Sequence, residues 1–199
     1  RASSPPSPTR NAPTSAPNDR DGTLSLKPGQ DGYAVLGEAY ARLKLSDQTL
    51  TIYRQRIGEN PQKAEGVRAI QTDMNYLGSR DIRMTPLTYE AAMLGGPIGG
   101  ELRYQAGYVF NVKDINADKF VSMSQLAGVT TKNTGMWTGG LQWSPKKDLW
   151  LQASYYSVAD TIRISYVDAD WVTRTSKDSY YRFAAQYTDQ RSEGANLLL

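Results

Sequence analysis

The sequence contains neither cysteine nor histidine among its 199 residues. Without cysteine, the chain can form no disulfide and no thiolate metal site. Without histidine, it lacks the usual general base, serine–histidine triads and histidine-based zinc sites. These absences argue against an enzyme, and we expect neither a cofactor nor a bound metal.

Long apolar runs and strong net charge are also missing. No apolar run reaches about 18 residues, which excludes a membrane-spanning helix. A mean hydropathy of -0.56 does not exclude a transmembrane β-barrel, because barrel strands carry apolar residues only at alternate positions. The net charge is +3, and the basic residues are dispersed, so the sequence shows no nucleic-acid footprint.

Residues 102–112 show the clearest pattern in the chain. Every even position from Leu102 to Val112 is apolar or aromatic, whereas the odd positions include Arg103 and Gln105. Because successive side chains of a strand point to opposite faces, one face should lie in an apolar medium and the other in water. At about 3.3 Å per residue and a tilt of about 45°, this strand rises roughly 25 Å, which matches the apolar band of an outer-membrane barrel.

The same alternation predicts about eight strands after residue 31. Their ranges are Tyr33–Leu45, Thr49–Arg56, Leu87–Leu94, Leu102–Val112, Met136–Ser144, Leu149–Tyr156, Thr161–Thr173 and Tyr181–Gln190. Alternation is lost within Tyr53–Ile57, where we expect a β-bulge. In the seventh strand two isoleucines share parity with two aspartates, so either the strand is bulged or some apolar residues face inward. The four residues are Ile162, Ile164, Asp168 and Asp170.

The connections between the predicted strands differ in length. Residues 58–86 and 114–135 form long connections, whereas 46–48, 95–100, 145–148 and 176–179 are tight. Because antiparallel neighbours alternate ends, the long connections fall at one rim, with 158–160 as the short exception. Aromatic residues near both rims predict two girdles. They are Trp143, Trp150, Trp171 and Tyr181 near the tight turns, and Tyr33, Tyr108, Phe110, Trp137 and Tyr187 near the long connections.

The two ends of the chain carry separate expectations. Residues 1–31 are rich in Pro and Ser and predict a flexible loop or linker, or a cloning remnant, whereas 32–199 predict part of a barrel. The chain starts at Arg1 without a methionine or signal peptide, and it stops without a finished strand. We therefore expect an internal piece of a longer protein.

Charged residues on the predicted polar faces are candidates for lining a pore: Arg103, Arg163, Asp168, Asp170 and Arg182, with Arg42, Lys44 and Lys113 as further basic residues. A guanidinium is always charged and offers a planar fork to a carboxylate, so arginines along a wet wall predict a path for anions. The alternative is that these charges only hydrate the pore and pair with acidic residues. The long connection 58–86 adds candidates for a constriction, namely Tyr76, Arg80, Asp81 and Arg83.

Four segments resemble the porin D family of substrate-specific outer-membrane channels, in the same order and with similar spacing. They are Asp81–Thr88, Phe120–Ser124, Tyr166–Trp171 and Ala185–Ser192. The likeness covers residues 31–199 and implies a monomeric antiparallel transmembrane β-barrel of about eighteen strands, of which this chain holds a central portion. It also implies passive diffusion of small carboxylates, such as amino acids and organic acids, across the Gram-negative outer membrane. The barrel would contact the lipid bilayer and lipopolysaccharide.

The resemblance also carries over to individual residues. Asp81 and Arg83 match a family loop motif, and Ser122 and Ser124 match a second inward loop, whereas the insertion Gln62–Leu77 departs from the shorter family pattern.

Two other classes of protein remain open. One is a soluble β-sandwich that binds carbohydrate through exposed Tyr and Trp, and the other is a small closed eight-stranded barrel acting as a membrane anchor or adhesin.

Overall fold

A computed structural model describes residues 34–57, 77–78, 86–115, 117–176 and 179–195. The strands there are β1 Ala39–Leu45, β2 Gln48–Gln55, β3 Thr88–Gly99, β4 Leu102–Lys113, β5 Val121–Ser122, β6 Met136–Lys146, β7 Leu149–Val158, β8 Ile162–Arg174 and β9 Tyr180–Ser192. One helical turn, α1 Met123–Leu126, follows β5. Within these residues, no helix has the length and apolar character needed to cross a membrane.

The strands form a single antiparallel sheet in the order β1-β2-β3-β4-β6-β7-β8-β9, and β5 pairs with the end of β4. The prediction of an all-β antiparallel fold is confirmed, because the eight long strands correspond to the eight predicted ones. β3 continues to Gly99, beyond the predicted end at Leu94. β5 and α1 lie inside the expected long connection 114–135, and they are too short for their period to be recognised from the sequence.

The antiparallel order separates the connections into two rims. The connections β1–β2, β3–β4, β6–β7 and β8–β9 lie at one end of the strands, which we call the turn rim. The connections β2–β3, β4–β6 and β7–β8 lie at the other end, the loop rim. Because both long connections belong to the loop rim, the two ends of the wall differ as the sequence predicts.

One face of the sheet, here called the outer face, exposes a continuous apolar surface. Its large exposed residues are Leu43, Leu45, Ile52, Leu94, Trp137, Leu141, Trp143, Tyr155, Val167, Trp171, Phe183 and Tyr187. A row of directly paired residues runs from Tyr104 through Leu141, Ala153 and Val167 to Tyr187. Such a surface is uncommon on soluble monomers and marks contact with a membrane or another protein.

Aromatic residues of the outer face cluster near both rims. The Tyr108 ring lies 5.0 Å from Phe110 and 4.9 Å from Trp137, between ring centroids, toward the loop rim. Trp171 stacks on Phe183 at 5.5 Å toward the turn rim. Trp150, expected in this girdle, is instead paired with Asp170 on the opposite face. That expectation was wrong because position along a strand does not reveal which face a residue occupies.

The opposite face, the inner face, is crowded although the described strands supply no second sheet to cover it. Gln142, Gln152 and Ser154 are only 7%, 4% and 5% exposed, and they lie near the middle of the sheet in neighbouring strands. The inner face is therefore the more buried side of the sheet, and the outer face is the more exposed side.

At the loop rim the inner face is covered by an apolar cluster. Its strand residues are Tyr89, Ala91, Met93, Val109, Val112, Met136, Tyr156 and Val158, and Ile57, Leu77 and Met123 join them from the connections. Leu77 and Ile57 are 0% and 1% exposed, so both of these residues of the β2–β3 connection pack inward. Ile162 and Ile164 pack against this cluster. β8 has no register shift, so the seventh predicted strand is regular and its isoleucines face inward.

A bulge in β4 corrects the face assigned to Val112. Glu90 pairs with Asn111, whereas the next residue, Ala91, pairs with Val109, so Phe110 has no partner of its own. The extra residue reverses the alternation, and Val112 enters the inner cluster at 1% exposure. The expectation that Val112 shares a face with Leu102 is wrong for this reason.

The bulge expected within Tyr53–Ile57 is not present in β2, so this expectation is also wrong. The register between β2 and β3 is unbroken, and Tyr53 instead has a φ of 86°.

Gly107 allows β3 and β4 to approach closely, which gives a test of the sheet. A Cβ atom at this position would collide with the Ala92 carbonyl oxygen and would lie 2.9 Å from the Met93 Cα. We predict that Gly107→Ala in the complete protein lowers the free energy of unfolding by about 1–3 kcal/mol through overpacking, measured by urea unfolding in lipid vesicles. Gly139→Ala is the matched control, because its Cβ would meet only ordinary van der Waals contacts, with Ala106 Cβ at 3.8 Å and the Gln105 carbonyl oxygen at 4.0 Å. Equal stability of the two variants would contradict the pairing.

Candidate functional site

The polar part of the inner face lies between the apolar cluster and the turn rim. One row of directly paired residues crosses five strands, with Arg103 on β4, Gln142 on β6, Gln152 on β7, Asp168 on β8 and Gln186 on β9. Paired residues of adjacent strands project from the same face, and adjacent strands lie about 4.8 Å apart. The wall therefore carries a basic residue and an acidic residue with two amides between them.

Arg103 is exposed, and within the described part of the chain it has no ion-pair partner. Arg42 and Lys44 on β1 project from the same face, since the row of Lys44 passes through Thr49 and Gly95 to Gln105. The Arg42 guanidinium lies 5.1 Å from the centroid of the Tyr40 ring. Arg42, Lys44 and Arg103 thus place positive charge on the inner face of β1 and β4, and none of the three has an ion pair among the described residues.

Arg182 is on the inner face, but its charge is compensated by Asp170. Its Nε donates to Oδ1 and Oδ2 of Asp170 at 3.0 and 3.1 Å, and one of its terminal nitrogens also donates to Oδ2. This bidentate pair joins β8 to β9. Asp168 lies on the same face, two residues away, and has no ion-pair partner among the described residues. The sequence placed these three residues on the polar wall, but it did not reveal the pair.

Arg163 lies on the outer face. Its neighbours Ile162 and Ile164 contact the inner cluster, so the side chain between them projects from the opposite side. Arg163 pairs in register with Ser157 and Arg191 at the loop rim. The expectation that Arg163 shares a polar wall with Arg103 is therefore wrong. The regular register of β8 leaves its odd positions outside.

Ser122 and Ser124 shape the β4–β6 connection from within. Ser122 begins α1 with a capping box, in which its hydroxyl accepts from the Gln125 amide and the Gln125 side chain accepts from the Ser122 amide. Ser124 Oγ donates to the Lys132 carbonyl at 2.8 Å and accepts from the Thr134 amide at 2.9 Å. Both serines are buried, at 4% and 0% exposure. Their hydroxyls therefore order the connection, and they are not presented to the open part of the inner face.

Two lysines hold the connections against the wall at the loop rim. Lys113 Nζ is buried and donates to the Pro86 carbonyl at 3.0 Å. Lys132 Nζ donates to Asp160 Oδ2 at 2.7 Å, linking the β4–β6 connection to the β7–β8 turn. Hydrogen bonds from Lys132 and from the Ala195 amide keep the pKa of Asp160 below its usual value of 3.8. Asp160 therefore stays ionised and paired at neutral pH.

The remaining sequence candidates, Tyr76, Arg80, Asp81 and Arg83, lie outside the described residues, as does the 1–31 segment. The constriction that they would form stays a prediction. Among the described residues, no group of acidic, cysteine or histidine side chains is arranged to hold a metal ion.

The wall matches several solved outer-membrane porins. The outer membrane protein OpdK of Pseudomonas aeruginosa aligns with a TM-score of 0.63 and 19% identity over 78% of this chain and 38% of that chain. A BenF-like porin of Pseudomonas fluorescens Pf-5 aligns with a TM-score of 0.66 and 13% identity over 89% and 42%. OccAB2 of Acinetobacter baumannii aligns with a TM-score of 0.59 and 21% identity over 78% and 37%. No protein-family model and no curated protein matches the chain.

These matches show the fold. The chain spans 37–42% of the length of those three porins, so its sheet corresponds to part of a large outer-membrane β-barrel. The resemblance to substrate-specific porins that the sequence indicates is confirmed at this level.

The ion pair at Asp160 gives a test of how the β4–β6 connection is held. We predict that Asp160→Asn in the complete protein speeds amide hydrogen exchange across residues 128–134 at pH 7. Folding lowers the pKa of the Asp160 carboxyl, so the ion pair gives its full stabilisation at any pH above the pKa of Asp160 in the unfolded chain. This stabilisation is lost only as the pH falls through the pKa of Asp160 in the folded protein. Wild-type protection, corrected for intrinsic exchange, should therefore be equal at pH 5 and pH 7.

Asp148→Asn is the matched control for this experiment. Asp148 lies in an exposed turn at the opposite rim, and its side chain has no ion pair within the described residues. Exchange of residues 128–134 should not respond to it. If Asp160→Asn behaved like this control, the link between the connection and the β7–β8 turn would have no role.

Proposed function

We propose that this chain is part of the wall of an outer-membrane diffusion channel that admits small carboxylate-bearing nutrients. The observation that carries the proposal is the division of one sheet into an exposed apolar outer face and a crowded inner face that is polar toward the turn rim. A bilayer satisfies the outer face, and a water-filled lumen satisfies the inner one. The porin fold of the matched structures supports the same reading.

The preference for carboxylates rests on Arg103, Arg42 and Lys44. Their positive charges on the inner face attract anions, and a guanidinium without a protein partner is available to a carboxylate. OpdK has been crystallised with vanillate, which carries a carboxylate. This ligand agrees with the chemistry that we propose for the wall.

The proposal also assigns the surroundings of the barrel. The outer face contacts the lipid bilayer and lipopolysaccharide in a Gram-negative outer membrane, and the complete barrel is monomeric. Tyr76, Arg80, Asp81 and Arg83 narrow the lumen from the β2–β3 connection. Solute passes by diffusion, without catalysis.

The other two classes of protein fit less well. A soluble carbohydrate-binding sandwich needs a second sheet against the outer face, whereas the described strands belong to one sheet. A small closed barrel needs β1 to pair with β9, and among the described residues these strands are the two unpaired edges of the sheet.

Removal of the Arg103 charge tests the proposal. We predict that Arg103→Gln in the complete protein lowers the permeability ratio of acetate to sodium ion about fivefold, because two unit charges about 4 Å apart in water interact by about 1 kcal/mol. Reversal potentials in planar bilayers measure this ratio. The matched control is Arg163→Gln, the same substitution on the outer face, which should leave the ratio unchanged. Equal ratios in the wild type and Arg103→Gln would refute the anion path.

The Arg182–Asp170 pair gives a second test of the charge distribution. Arg182→Gln alone removes one positive charge from the inner face and breaks the ion pair with Asp170, so we predict a lower anion preference. The double variant Arg182→Gln with Asp170→Asn removes both charges, and it should restore the wild-type reversal potential. A double variant with the same deficit as Arg182→Gln would show that Arg182 attracts anions directly.

A further inference from the structure

Two arginines lie side by side at the loop rim of the outer face. Arg163 on β8 pairs directly with Arg191 on β9, and both side chains are exposed. Their row continues through Ser157 on β7 to Trp137 on β6, one of the aromatic residues near this rim. Like charges at directly paired positions of a sheet repel each other, so this arrangement destabilises the strand pair unless an anion compensates it.

The described residues supply only part of that compensation. Arg191 Nε donates to both carboxylate oxygens of Asp189, at 3.1 and 2.9 Å. The other nearby carboxylate, that of Glu193, accepts a hydrogen bond from Ser157 Oγ at 2.8 Å. Arg163 has no ion pair within the described part of the chain. The guanidinium of Arg163 and the terminal nitrogens of Arg191 therefore remain able to donate to an external anion.

Arg54, near the end of β2 at the same rim, shows the contrast with a compensated arginine. Its Nε donates to Glu90 Oε1 at 2.9 Å, and its Nη1 donates to the Leu36 carbonyl at 2.9 Å. Its guanidinium also lies 4.4 Å from the centroid of the Phe120 ring. Groups of the protein thus hold the Arg54 side chain, whereas none of the described ones holds that of Arg163.

The two arginines lie beyond the apolar part of the outer face. Val167 and Tyr187 form the paired row of exposed apolar side chains nearest to them on β8 and β9. Arg163 and Arg191 lie four residues further toward the loop rim. At about 3.3 Å per residue and a tilt of about 45°, this separation is roughly 9 Å in height. In a barrel embedded as proposed above, the charged row reaches the polar headgroup layer.

We propose that Arg163 and Arg191 form a binding site for the phosphate groups of lipopolysaccharide in the outer leaflet. A phosphate supplies the negative charge that the paired arginines need, and its oxygens match the planar fork of a guanidinium. Charge complementarity therefore favours this occupant over a zwitterionic lipid. The inference rests on the proposed function, which sets the loop rim at the outer leaflet, and it names the residues that hold the lipid there.

The test measures which lipids bind to the complete protein. The protein is placed in phosphatidylcholine vesicles with a trace of dansyl-labelled lipid A, the phosphorylated membrane anchor of lipopolysaccharide. Energy transfer from the tryptophans of the protein to the dansyl group then reports binding of this lipid. We expect Arg163→Gln to weaken lipid A binding about three- to tenfold, the range for loss of one basic residue at an anionic lipid surface. Arg163→Lys keeps the charge and should retain most of the binding.

Two further variants give an opposite effect and a matched control. Asp189→Asn removes the carboxylate that competes for Arg191, so lipid A should bind about two- to fivefold more tightly. Arg174→Gln is the same substitution as Arg163→Gln at an exposed arginine of the turn rim, and it should leave lipid A binding unchanged. With lipid A from which the phosphates have been removed, the wild type and all of these variants should bind equally.

Three outcomes overturn the site. The first is equal binding of lipid A by the wild type and Arg163→Gln. The second is an equal loss of binding for the phosphate-free lipid, which would show that the arginine does not recognise phosphate. The third is full displacement of lipid A by inorganic phosphate, which would indicate a site for the free ion. Failure of the proposed channel is distinguishable, because the complete protein would then form no conducting pore in planar bilayers.

Discussion

The paired register that runs from β1 through β9 is the constraint on which the rest of the structure depends. Side chains alternate across a strand, so a slip of one residue would exchange the two faces along its whole length. The register therefore decides at once that Leu141 projects from the outer face and that Gln142 next to it projects from the inner face.

Local departures from this regularity divide the inner face into two zones. The bulge at Phe110 turns Val112 inward, and the packing of Leu77 and Met123 extends an apolar cluster over the loop rim. Toward the turn rim no such cover is present among the described residues, and the wall presents amides and charges. The polar part of the inner face therefore lies mainly on the turn-rim side of the region where the connections pack.

Fewer basic side chains are free of an ion pair and exposed on the polar part of the inner face than the number of arginines and lysines in the sequence indicates. Arg182 is bound to Asp170, Arg163 is outside, and Lys113 is buried against a carbonyl. Arg103 on β4 consequently stays exposed and has no ion pair among the described residues.

The sequence by itself determined the antiparallel all-β fold, the eight long strands, the two unequal rims and the likeness to substrate-specific porins, because alternation and turn chemistry are local properties of the chain. Only the tertiary structure decided the faces of Arg163, Val112 and Trp150, and the pairing of Arg182. These features depend on bulges, on register with strands far along the chain and on connections that fold back onto the wall. Ser122 and Ser124 show the same limit, since the groups that their hydroxyls bind become neighbours only when the connection folds.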